Sequence, residues 1–112
     1  MCELYWRLVE MGVEVLGGLA AWIRAFGCNI DIGCECDVVI AESDAEKLPP
    51  TPCVWTIDEP GFSHRRVWIG GLPHISLEDL PRVKSPYAQA VLDCIRDALR
   101  TRAVGGRPQR EV

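Results

Sequence analysis

The chain is poor in amide side chains, with one Asn and two Gln in 112 residues. Thermophile proteins are depleted in such thermolabile groups, and eight prolines point the same way. Long apolar runs are missing too. The longest, Val15 to Ile23, has nine residues and is flanked by Glu10, Glu14 and Arg24. A helix that crosses a bilayer needs about 20. The start, Met1-Cys2-Glu3-Leu4, has no basic segment leading into an apolar block, so no secretory signal is read there. The expectation is a cytoplasmic protein with no membrane partner. Basic charge is not in excess either: 12 Lys and Arg against 16 Asp and Glu leave a net charge of −4. That balance weighs against nonspecific nucleic-acid binding, which uses a basic face.

Histidine is scarce. His64 and His74 lie in expected loops, and the cysteines lack the paired C-x₂₋₄-C units of structural zinc sites. The redox spacing C-x-x-C is absent, and Gly70-Gly71 alone is not a phosphate loop. No cofactor is expected. Cysteine itself is plentiful: Cys2, Cys28, Cys34, Cys36, Cys53 and Cys94. A secreted disulfide scaffold would be smaller and poorer in core residues, whereas hyperthermophiles carry disulfides inside the cell. Buried thiols, with one or two internal disulfides in a thermophile protein, are therefore weighed above a metal, iron–sulfur or redox centre.

Apolar residues recur at helical spacing through Leu4, Leu8, Met11, Val15, Leu19, Trp22 and Phe26, which predicts a long helix over 3–26 with Gly27 as C-cap. Gly17-Gly18 is its weak point, marking a kink or a close crossing. The period then becomes two, which predicts strands at 28–32 and 35–41 with Asp31, Glu35 and Asp37 on one face. Val38-Val39-Ile40-Ala41 is apolar on both faces, as in an interior strand. Cys53-Val54-Trp55-Thr56-Ile57 and Arg66-Val67-Trp68-Ile69 read as a hairpin around a loop at 58–65, with Gly70-Gly71 ending the sheet. Ser76 to Asp79 has a capping-box pattern. Ser85 and Pro86 open a last helix running to about Ala103, with Ala88, Val91, Leu92, Ile95, Ala98 and Leu99 as its buried stripe.

The expected fold is α+β. A four-stranded, mostly antiparallel or mixed sheet would be flanked by a long N-terminal helix and a C-terminal helix. A small open parallel α/β sheet is the alternative. One domain over 1–104 and a disordered tail at 105–112 complete the expectation.

Three groups of residues are candidates for chemistry. Asp31, Glu35, Asp37, Glu42, Asp44 and Glu46 are balanced only by Lys47. A helix followed by strands, with Asp37 leading Val38-Val39, resembles the core of restriction-endonuclease-like nucleases. That resemblance implies a first metal ligand at Asp37. The family's next strand carries an acid, one spacer and a Lys; here it ends Thr56-Ile57-Asp58-Glu59-Pro60, without the Lys. A solvated acidic edge is weighed above a magnesium site. The expected hairpin loop gathers Asp58, Glu59, His64, Arg65 and Arg66, able to bind a phosphate or carboxylate, with ion pairing within the turn as the plainer reading. Trp68 is out of phase with Val67 and Ile69, and with Trp6 it is a candidate interface anchor.

The favoured function is a small interaction or regulatory domain that self-associates or binds a protein partner. Its binding residues would be Asp58, Glu59, His64, Arg65, Arg66 and Trp68, with no catalytic or metal-binding residue assigned. The alternative is a degenerate metal-dependent phosphodiester hydrolase using the acidic strand.

Overall fold

The computed structural model describes residues 2–102; the last helix is assigned as Ala88–Glu111, and the tail expected at 105–112 lies outside the described residues. In chain order the elements are helix α1 (Glu3–Glu10), strand β1 (Val15–Gly17), helix α2 (Leu19–Phe26), strand β2 (Val38–Ala41), the single turn α3 (Glu42–Ala45) and strand β3 (Val54–Ile57). A 3-10 turn (Phe62–Arg65), strands β4 (Val67–Ile69) and β5 (Leu72–His74), a second 3-10 turn (Leu80–Arg82), strand β6 (Val83–Lys84) and helix α4 (Ala88–Glu111) follow.

The long helix expected over 3–26 is instead two helices with a strand between them. Gly12, at φ +76°, lets the chain leave α1 in a left-handed conformation that other residues rarely adopt. β1 then pairs antiparallel with β2, Leu16 opposite Val39. The Gly17-Gly18 pair is required by close approach of side chains. A Cβ on Gly17 would sit 2.3 Å from the His74 ring, and one on Gly18 would sit 2.2 Å from an Asp37 carboxylate oxygen. The apolar spacing looked continuous because both short helices are amphipathic and the strand between them is buried throughout.

The strand expected at 28–32 does not form, and that at 35–41 is shortened to Val38–Ala41. The Asp31 carboxylate accepts the Gly33 N–H at 2.8 Å, a local bond that favours a turn over a ladder. The expected hairpin of 54–57 with 66–69 is also overturned. β3 lies between β2, to which it is parallel, and β6, to which it is antiparallel. β4 pairs instead with β5 through Gly70-Gly71, both at positive φ, as a two-residue hairpin turn demands. Those glycines continue the sheet rather than ending it.

The sheet therefore has six strands in the order β4-β5-β1-β2-β3-β6 and is mixed and curled, neither four-stranded nor wholly parallel. The central strands are buried on both faces. Leu16, Val39 and Ile57 pack with α2 and α4 around Trp22, Phe62, Ile75 and Ile95. Val15, Val38 and Ile40 pack on the other face against Tyr5 and Leu8 of α1. The α4 stripe is buried at Ala88, Val91, Leu92 and Ile95, while Leu99 is exposed. No helix among the described residues is long and apolar enough to cross a membrane.

Every cysteine is paired: Cys2–Cys36, Cys28–Cys94 and Cys34–Cys53. The bonds cluster on the irregular 28–37 segment, where backbone hydrogen bonding is sparse and cross-links replace it. Cys28–Cys94 joins the end of α2 to α4 across 66 residues, worth about 4 kcal/mol in a chain-entropy account. Intact-mass measurement without reductant is expected to show a loss of two hydrogens for each of the three bonds. Reduction is expected to lower the melting temperature by well over ten degrees.

Candidate functional site

Two polar centres hold the fold, and a third group of residues lines an open cleft. The first centre is Asp37, at the entrance to β2 and fully buried. Its carboxylate accepts the Leu19 N–H at 2.6 Å, the Ala20 N–H at 2.8 Å and the Trp55 indole N–H at 2.7 Å. The first two donors are the otherwise unpaired amides at the start of α2, whose dipole also favours negative charge there. The expectation of Asp37 on an exposed acidic face is thus overturned by the turn at Asp31 and Gly33, which breaks the period of two. Asp37 and Asp58 lie at opposite ends of the parallel β2–β3 pair, about 15 Å apart along the strands. Among the described residues no three His, Cys, Asp or Glu side chains are grouped to hold a metal ion.

The second centre is Asp79, also fully buried. Arg65 donates to it through Nε at 2.9 Å and Nη2 at 3.1 Å. Arg82 Nη1 and Ser76 Oγ donate at 3.1 Å each. Glu59 pairs with both Arg65 and Arg82 on the outside. Two residues expected to bind a ligand, Glu59 and Arg65, therefore clamp the 58–66 loop to the Ser76–Arg82 segment. Asp58 is exposed beside Glu42 and Glu46 in a shallow cleft of about 270 Å³. His64 is exposed on the 3-10 turn. Arg66, the residue just before the outer strand β4, lies beside Trp68 on that strand, its guanidinium 5.7 Å from the indole centroid. The expected group of six is thus split among four places.

The third group was not singled out from the sequence. A cleft of about 530 Å³ opens between Cys2, the Arg24 end of α2, the Glu35-Cys36 segment and the β4–β5 turn. His74 forms part of its wall with 9% of its surface exposed. Its Nδ1 lies 2.8 Å from the Leu72 carbonyl oxygen, which can only accept. Nδ1 therefore carries the hydrogen, and Nε2 presents a lone pair. The available signal was Gly17, whose missing side chain makes room for this ring. Burial, and after it the positive charge of Arg24, push the His74 pKa below its ordinary value of 6.5, against the Leu72 bond and Asp37, which act upward.

Asp37→Asn keeps the shape but turns amide hydrogens toward backbone donors. It is expected to destabilise the protein by about 3 kcal/mol in denaturant titration. A folded pKa below 6.5 means that the unfolded chain binds the proton more tightly, so the stability tied to neutral His74 is complete above 6.5 and declines as pH falls toward the folded value. An NMR titration of the His74 ring is expected to give a midpoint below 6.5. No protein-family model matches the chain, and comparison with curated proteins and with solved structures finds no match.

Proposed function

We propose that the chain is a non-catalytic interaction domain that pairs with a second copy of itself through the edge strand β4. The observation that carries this reading is Trp68, 63% exposed on an outer strand of the sheet. Edge strands leave a row of backbone N–H and C=O groups open to pairing, and soluble proteins normally guard them with charge or brevity. The opposite edge, β6, is guarded in both ways. It has two residues, Lys84 is paired with Glu42, and Arg82 just before it is paired with Glu59. β4, Val67-Trp68-Ile69, carries no charge of its own.

Antiparallel pairing of two β4 strands about Val67 would set Arg66 of each copy opposite Trp68 of the other. Arg66 already lies in cation–π range of its own Trp68, so the same attraction is available across the pair. A cytoplasmic setting in a thermophile belongs to this reading, because paired cysteines and an amide-poor composition occur together there.

A three-residue strand buries little area, so the dimer is expected to be concentration-dependent. Sedimentation velocity is expected to show a species of twice 12.5 kDa growing with concentration. Trp68→Lys is expected to leave a monomer with an unchanged melting temperature. A wild type that stays monomeric up to about 1 mM, or a dimer indifferent to Trp68→Lys, sinks the reading.

A further inference from the structure

The cleft beside His74 has the properties of a built site, and it does not rest on pairing at β4. Its volume of about 530 Å³ lies within the range of about 300–1,000 Å³ typical of small-molecule sites. His74 is nine-tenths buried, its Nδ1 is committed to Leu72, and Nε2 has no hydrogen-bond partner among the described residues. No side-chain nitrogen or oxygen there is both sealed from solvent and unpaired, so Nε2 keeps access through the cleft that it lines. An acceptor open to the cleft and without a protein partner is available to a ligand that donates to it.

The charged groups of the cleft narrow the ligand. Arg24 projects from the last turn of α2 and spends one N–H, from Nη1, on the Glu35 carbonyl at 3.1 Å. The rest of its donor fork is free to meet a carboxylate. Glu35 also lines the cleft, with an exposed side chain, and Arg24 and Glu35 form no ion pair with each other among the described residues. One positive charge, one negative charge and a neutral acceptor sum to zero. A simple anion would meet Glu35, and a simple cation would meet Arg24. A molecule carrying both charges satisfies each. The remaining wall is apolar: Ile69, Leu72, Ala21 and the Cys2–Cys36 disulfide.

We propose that this cleft binds a free α-amino acid with an apolar side chain. The ligand carboxylate would pair with Arg24, and its ammonium would donate to His74 Nε2 and to Glu35. Its side chain would lie against the disulfide, Ile69 and Leu72.

The probe is L-leucine, titrated into the intact oxidised protein by calorimetry, with ¹⁵N NMR of the His74 ring as a second readout. One molecule is expected to bind per chain and to shift the Nε2 resonance. Leucinamide lacks the carboxylate and 4-methylpentanoate lacks the ammonium; each is expected to bind at least about tenfold more weakly. Arg24→Gln and Glu35→Gln alter exposed side chains, and each is expected to weaken L-leucine by about tenfold or more without changing the melting temperature. Absence of both heat and a His74 shift up to about 10 mM L-leucine overturns the proposal. Equal binding of 4-methylpentanoate also overturns it, in favour of a plain anion site.

Discussion

The Asp37 carboxylate, on the residue just before β2, accepts the Ala20 amide at Oδ1 and both the Leu19 amide and the Trp55 indole N–H at Oδ2. Burying a charge is costly unless donors surround it, and here a helix N-terminus and an indole N–H do so. The neighbouring geometry follows from this contact. Gly18 has no side chain because the carboxylate occupies that space, and Gly17 has none because His74 does. Two disulfides, Cys34–Cys53 and Cys2–Cys36, anchor the irregular segment within three residues before Asp37. Val38 N–H meets the Cys53 carbonyl at 3.0 Å directly after it, which starts the parallel β2–β3 register.

The parts of the fold legible in the sequence were those decided by local chemistry. The Val38–Ala41 run announced a strand buried on both faces, and the last helix was legible too, although it begins at Ala88, after a turn in which the Ser85 Oγ accepts the Tyr87 N–H at 3.1 Å. The parts that were not legible depend on residues distant in the chain. Period alone cannot separate one long helix from a helix, a strand and a second helix when all three bury apolar residues in step. What broke that symmetry was the need of Asp37 and His74 for space at Gly17 and Gly18. Strand order was hidden for a similar reason. Gly70-Gly71 is a hairpin turn by its own chemistry, yet the β-branched and aromatic runs on either side of the 58–65 loop look equally like partners in sequence.

The candidate site was legible in composition rather than in place. Within the 58–66 loop only Arg65 and Glu59 pair as the plainer reading held; Asp58 and Arg66 form no ion pair among the described residues, and Arg65 is held chiefly by a buried Asp79 outside the loop. Arg66 and Trp68 remain free of that network and share an edge. His74 carried no distinguishing neighbour in sequence. Its interest comes from burial and from one committed ring nitrogen, both products of the folded chain.

The three disulfides overlap along the chain rather than sitting side by side. Cys2–Cys36 spans the stretch in which Cys28 and Cys34 lie, and Cys28–Cys94 spans the stretch that holds Cys34, Cys36 and Cys53. Every peptide bond between Cys2 and Cys94 is therefore bridged by at least one cross-link. A protease that cuts once anywhere in that span releases no fragment. The nicked chain remains one covalent body, and its release in pieces requires a reductant as well as a peptidase.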